Sequence, residues 1–155
     1  MSSRAATLSS AGHSAYVAEV RELVHDQADA LFALVPPMVE RLAASSAMAT
    51  PPIVTRDDRT LRMIMGQCSV ELEVEATIDM PDDGNRALLF PAGPARCIVR
   101  TPAGILARWD LRQVHPGGAA PVYAWMAPGV GTAVAEPAIA RVIDHLLTCY
   151  RQQAA

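Results

Sequence analysis

The sequence predicts an α+β domain, in which an N-terminal helix and a short second helix precede an antiparallel meander sheet of about five or six strands, and a C-terminal helix packs on one sheet face. Apolar residues recur at helical spacing near both ends of the chain, whereas the central part alternates apolar and polar side chains. At 155 residues the chain has the size of one ordinary domain. We predict a disordered N-terminus over residues 1–13 and a single domain over residues 14–155.

The N-terminal helix is predicted to begin at Ser14, a residue type that caps helices well. Pro36 and Pro37 end it, and Pro37 suits the first turn of a second helix over residues 38–46. The apolar stripe of the first helix consists of Val17, Val20, Val24, Ala28, Leu31, Leu34 and Val35.

The stretch from Ser69 to Asp79 is the clearest strand, because its apolar side chains alternate with Glu71, Glu73 and Glu75. This period of two is typical of a strand with one buried and one solvent-facing side. Before it, one strand is predicted from Ile53 to about Met65. The alternation changes parity between these strands, which predicts a bulge or a tight turn at Gly66 and Gln67.

Turn residues divide the rest of the sheet into short strands. Residues 81–85 predict a hairpin to a strand over residues 86–90. Further strands are predicted over residues 96–100, 105–114 and 122–127, and short connections between them indicate a meander. Trp109 has the parity of Ile105 and Leu111, so we predict that it is buried. The C-terminal helix is predicted to open at Thr132 or at Glu136 with Pro137. Its apolar stripe consists of Ile139, Val142, Ile143, Leu146, Leu147 and Tyr150.

The composition excludes several chemistries. All 13 basic residues are arginine, so this chain supplies no Schiff-base lysine, no P-loop lysine and no Ser-Lys dyad. A net charge of −3 argues against nucleic acid as the partner. Cys68, Cys97 and Cys149 are widely spaced, and we predict reduced, mostly buried thiols. No metal or cofactor site is predicted. The absence of a long apolar run or a secretory leader pattern predicts a cytoplasmic protein with no membrane association.

Charged residues mark the solvent side of the predicted sheet. The three glutamates are expected to face arginines on neighbouring strands. This arrangement of charges has two interpretations. The charges form a solvated ladder that protects the sheet, or the surplus arginines form a surface for an anion or an acidic partner. The arginines concerned are Arg86, Arg96, Arg100, Arg108 and Arg112.

Two further groups of residues are candidates for function. Tyr123 and Trp125 share one side of the last strand and either belong to the core or, if exposed, anchor a partner. Asp110, Arg112 and His115 are the catalytic candidates, with His115 as general base and Arg112 steering an anionic substrate.

We predict a small non-catalytic binding protein of adaptor, chaperone-like or inhibitor type. It engages a protein partner through its sheet face or edge, and an edge strand also allows self-association as a homodimer. The partner-binding residues are Arg108, Arg112, Tyr123 and Trp125. The alternatives are a small enzyme or ligand-binding domain with a pocket between helices and sheet, and an anion or nucleic-acid binder that uses the arginine-rich face.

Overall fold

The computed structural model confirms the predicted α+β class. It describes residues 2–45, 51–79, 93–114, 116–118, 120, 122–127 and 136–154. Three helices lie in these residues: α1 (Ser2–Ala33), α2 (Val35–Ser45) and α3 (Glu136–Ala154). The strands are β1 (Ile53–Arg56), β2 (Thr60–Met65), β3 (Cys68–Ala76), β4 (Ala95–Thr101), β5 (Gly104–Val114) and β6 (Val122–Met126).

The two N-terminal helices meet at the prolines. Helix α1 ends at Ala33, the amide of Leu34 donates to the carbonyl oxygen of Leu31 at 3.2 Å, and α2 begins at Val35. Pro36 and Pro37 therefore lie in the first turn of α2, where a missing amide hydrogen costs no helical bond. Helix α1 begins at Ser2 and not at the predicted cap Ser14. No proline lies in residues 2–14, so no residue there blocks a helical backbone. The proposed disorder of residues 1–13 and the single domain over residues 14–155 stay predictions.

The sheet is an antiparallel meander. Its six strands lie in the order β1-β2-β3-β4-β5-β6, so each strand pairs with its neighbour in the chain. The predicted hairpin at residues 81–85 and the strand at 86–90 lie outside the described residues. Among the described residues, β3 pairs directly with β4, with Glu75 opposite Arg96.

The prediction of one strand from Ile53 to Met65 is wrong, because two strands occupy this stretch. The carboxylate Oδ1 of Asp57 accepts hydrogen bonds from the amides of Arg59 at 3.0 Å and Thr60 at 2.9 Å. This capped turn reverses the chain between β1 and β2. The parity change at Gly66 is a tight turn and not a bulge: Gly66 has a φ of 60°, a conformation that glycine adopts without strain.

A register shift in β5 corrects the prediction for Ile105. Val99 pairs with Ala107 whereas Arg100 pairs with Ile105, so Leu106 is an extra residue on β5. The bulge reverses the parity before Ala107. Ile105 is therefore 68% exposed, although Trp109 is buried as predicted.

The helices cover one side of the sheet. Buried residues of α1, α2 and α3 pack with the apolar side of the strands in a single core cluster. The predicted stripe of α3 supplies Ile139, Val142, Ile143, Leu146 and Leu147 to this core. We call the other side of the sheet, which carries Arg62, Glu71, Glu73, Glu75, Arg96, Arg100, Arg108, Asp110 and Arg112, the outer face.

The prediction that all cysteines are reduced is wrong for one pair. Cys68 at the start of β3 and Cys149 in α3 form a disulfide across a sequence separation of 81 residues, with their Cα atoms 6.3 Å apart. Sequence spacing could not reveal the pair, because the two residues meet only when α3 packs on the sheet. Cys97 is a free, buried cysteine. None of the described helices is long and apolar enough to cross a membrane.

Candidate functional site

The predicted pairing of glutamates with arginines is present on the outer face for Arg96 and Arg100, whereas Arg86 lies outside the described residues. A further pair was not predicted from the sequence. Arg62 of β2 donates from Nε and Nη2 to Glu71 Oε2 at 3.2 and 2.6 Å. On the other side of β3, Arg96 Nε donates to Glu75 Oε2 at 3.1 Å. Each arginine stands directly opposite its glutamate in the strand register. Cross-strand ion pairs of this kind contribute roughly 0.2–1 kcal/mol each, so these pairs support the sheet more than they offer binding energy.

Glu73 lies between these two glutamates on the same strand. Arg100 Nη1 donates to Glu73 Oε2 at 3.1 Å, on the diagonal of the register. Partial burial and a hydrogen bond with Glu75 raise the pKa of Glu73 above 4.5, while the charge of Arg100 acts in the opposite direction. The folded protein therefore favours the protonated form of Glu73 more than the unfolded chain does.

We expect the variant Glu73→Gln to gain stability relative to the wild type as the pH rises above 4.5. In that window the folded wild type binds more protons at Glu73 than the unfolded chain, so its stability falls with rising pH, and glutamine removes this loss. Urea unfolding across the acid range measures the difference.

Asp29→Asn is the control, because the pH dependence of its effect on stability should have the opposite sign. A hydrogen bond from Arg56 holds the pKa of Asp29 below 3.8, so Asp29 stabilises the fold above that value and loses this effect as the pH falls. A Glu73→Gln difference that stays constant with pH would contradict the raised pKa.

Asp110 on β5 is flanked by two arginines of the same strand. Asp110 is only 2% exposed. Its Oδ1 lies 3.8 Å from Arg108 Nε and its Oδ2 lies 3.8 Å from Arg112 Nη2. At these distances Asp110 forms ion pairs with both arginines but no hydrogen bond with either. Asp110 Oδ1 and Arg108 Nε are buried and have no hydrogen-bond partner among the residues that the structure describes.

The arginines of the outer face therefore fall into two groups. Arg62, Arg96 and Arg100 each donate a hydrogen bond to a glutamate of β3. Arg108 and Arg112 share one carboxylate at longer distance, and their side chains are 35% and 45% exposed. Two guanidinium charges against one carboxylate leave one positive charge unmatched in this group. We call Arg108, Asp110 and Arg112 the β5 triplet.

The aromatic candidates lie on the opposite side of the sheet from the β5 triplet. Trp125 stands opposite Leu111 in the register and is 5% exposed. Its Nε1 donates to the carbonyl oxygen of Gln27 in α1 at 3.0 Å. Tyr123 is half-buried and packs against the core. The structure thus resolves the two interpretations of Trp125 in favour of the core and separates it from Arg108 and Arg112.

The catalytic candidates are not assembled in the described residues. Asp110 and Arg112 are neighbours on the outer face, whereas His115 lies outside the described residues. Nor do the described residues bring three His, Cys, Asp or Glu side chains together in a group that could hold a metal ion.

A second feature, which was not predicted from the sequence, is a cavity of about 190 Å³ on the helix side of the sheet. It lies between the C-terminal half of α3 and the turns that join β2 to β3 and β4 to β5. Both cysteines of the disulfide line it, together with His145. The signal in the sequence was the spacing of His145 and Cys149, which places them on one side of a helix.

Comparison of the chain with protein-family models, with curated proteins and with solved structures finds no match. The class is therefore defined by the structure itself: an α+β domain whose antiparallel sheet is covered by helices on one side.

Proposed function

We propose that this chain is a non-catalytic protein-binding module that takes an acidic segment of a partner protein on the outer face, at the β5 triplet. The observation that carries the proposal is the unequal pairing of the arginines. Arg108 and Arg112 share one buried carboxylate at 3.8 Å, beyond hydrogen-bond length, whereas the other arginines described on this face donate hydrogen bonds to glutamates.

The donors of these two guanidinium groups suit a carboxylate ligand. Each guanidinium has five N–H donors in a planar fork that binds carboxylates in a bidentate manner. Asp110 lies between the two and holds both side chains near the strand, which reduces the entropy they lose when a partner binds.

The neighbouring strand β6 adds an apolar strip to the same face. In the register, Arg112 stands opposite Ala124, and Asp110 stands opposite Met126. Val122, at the start of β6, is 48% exposed. A basic row beside an apolar row favours a partner segment in which acidic and apolar residues alternate.

We expect a labelled peptide of alternating glutamate and valine to bind the wild type at least about tenfold more tightly than a peptide of alternating glutamine and valine. The double variant Arg108→Gln/Arg112→Gln should lose this preference, because no unmatched cation remains. Fluorescence anisotropy at low and at raised salt measures both affinities, and raised salt should weaken only the acidic peptide.

Two further variants make this test specific. Arg62→Gln removes an arginine that is already hydrogen-bonded to Glu71, so it should keep the preference. The triple variant Arg108→Gln/Asp110→Asn/Arg112→Gln removes the cations without leaving a buried carboxylate unpaired, so it should fold and still lose binding. An unchanged preference in the double variant, or an equal loss in Arg62→Gln, would contradict the proposal.

Self-association through β6 is a second mode of binding that the strand composition favours. The edge strand β1 follows Pro51 and Pro52 and ends in Arg56, features that discourage pairing with another chain. Among the described strands, the opposite edge is β6, whose sequence VYAWM has no charge and no proline. An uncharged edge of this kind is suited to antiparallel pairing with its own copy.

We expect the variant Val122→Lys to shift a wild-type dimer to the monomer, because a lysine at the edge opposes pairing of two identical strands. Light scattering after gel filtration measures the mass. Arg56→Ala on the other edge is the control and should leave the mass unchanged. A wild-type protein that is monomeric at every concentration would rule out this mode and would leave the acidic-segment proposal intact.

The cytoplasmic location predicted from the sequence is part of this proposal. In that compartment most disulfides are transient and serve exchange or sensing.

A further inference from the structure

The cavity at the Cys68–Cys149 disulfide lies on the helix side of the sheet and takes no part in the proposed function. Its apolar wall comes from Val70, Pro102, Ala103 and Leu146. A volume of about 190 Å³ is smaller than the roughly 300–1,000 Å³ of typical drug-sized ligand pockets, so it suits part of a small compound.

The two cysteines of the disulfide differ in their exposure to solvent. Cys68 is 2% exposed in the core at the start of β3. Cys149 is only partly buried and lies on the surface helix α3. Because thiol exchange requires access to the attacked sulfur, the geometry directs an incoming thiol to Cys149.

We propose that this cavity is a thiol-exchange site, at which a small thiol of the cysteine-derivative class opens the disulfide by forming a mixed disulfide with Cys149. The entering thiolate attacks Cys149 Sγ, the bond between the two protein sulfurs breaks, and Cys68 leaves as a thiolate that takes one proton. One thiol and one disulfide are consumed, and one thiol and one mixed disulfide are formed, so no external oxidant is needed. The reverse attack by Cys68 restores the original bond.

Polar groups around the cavity suit the rest of such a compound. Gln67, Ser69 and Gln153 line it and offer donors and acceptors to amide and carboxylate groups. His145 lies one helical turn before Cys149, and both residues line the cavity. The His145 side chain therefore borders the space that an entering thiol would occupy.

Two single variants that each keep one sulfur test the assignment with glutathione disulfide as the probe. In Cys68→Ser, the Cys149 thiolate attacks the probe, one glutathione leaves, and intact mass measurement should show one added glutathione on Cys149. In Cys149→Ser, the buried Cys68 should react at least about tenfold more slowly. Peptide mapping locates the adduct, and circular dichroism confirms that both variants are folded.

The role of the cavity is tested on the Cys68→Ser background. Ala103 is exposed in the turn between β4 and β5 and lines the cavity, so Ala103→Trp fills it without replacing a core residue. We expect this change to slow adduct formation by about tenfold, because access to the sulfur is reduced. Cys97 is the internal control: burial raises the pKa of its thiol, so it should carry no adduct in any variant.

Faster reaction at Cys68 than at Cys149, an unchanged rate with Ala103→Trp, or a wild-type protein with three free thiols after purification under oxidising conditions would each overturn the inference. Each of these outcomes would leave the acidic-segment proposal unaffected, because the β5 triplet is on the other face.

Discussion

The substitution Trp125→Ala should lower the free energy of unfolding by about 4 kcal/mol, as is typical for removal of a large buried aromatic side chain. Trp125 is 5% exposed, and its Nε1 donates to Gln27 across a sequence separation of 98 residues. The side chain therefore fills the core and also joins β6 to α1. Urea unfolding followed by circular dichroism measures the loss.

Two controls separate the contributions. Trp125→Phe keeps most of the ring but removes the indole donor, and it should cost about 1 to 3 kcal/mol, because the carbonyl of Gln27 loses its partner and some volume is lost. Tyr16→Ala removes an aromatic ring that is 57% exposed and should change stability by less than about 0.5 kcal/mol. If Trp125→Ala lowered the free energy of unfolding as little as Tyr16→Ala does, Trp125 would instead be an exposed side chain.

Loss of the Cys68–Cys149 disulfide should cost about 4 kcal/mol, because a cross-link that closes a long loop restricts the unfolded chain. For a chain of 155 residues this corresponds to a fall in Tm of roughly 10 °C. Thermal unfolding of the oxidised wild type, the reduced wild type and the double variant Cys68→Ala/Cys149→Ala measures it.

The response to a reducing agent identifies the bond. Reduction should destabilise Cys97→Ala as much as the wild type, because Cys97 is not in the disulfide. The double variant should not respond. If reduction left the wild-type Tm unchanged, the disulfide would contribute nothing to stability and the prediction would fail.

Periodicity in the sequence was sufficient for most of the fold. Strict alternation predicted β3 because one side of this strand is buried along its whole length. Turn residues placed β4, β5 and β6 within one residue of their observed limits, since each connection contains glycine or proline. The turn after β1 was missed because its capping residue, Asp57, lies in a charged run that carries no glycine or proline.

Features that depend on contacts between distant segments were not predictable. The register shift at Leu106 places Ile105 on the other side of the sheet from the one predicted. No local sequence pattern indicates this shift. The disulfide forms between β3 and α3, far apart in the chain. For the candidate site, parity assigned Arg108 and Arg112 to the outer face. Parity alone could not show that the glutamates of β3 accept hydrogen bonds from Arg62, Arg96 and Arg100. Nor could it show that Arg108 and Arg112 share Asp110 instead.

The disulfide also divides the chain into two parts of different topology. Residues 68–149 form a closed covalent ring that contains β3 to β6 and most of α3, and α1, α2, β1 and β2 lie outside it. Apart from the peptide bond between Gln67 and Cys68, noncovalent contacts hold the described N-terminal part against the ring. The N-terminal segment is therefore the part of the oxidised protein that can detach, undergo hydrogen exchange or pass to a second copy while the ring stays intact.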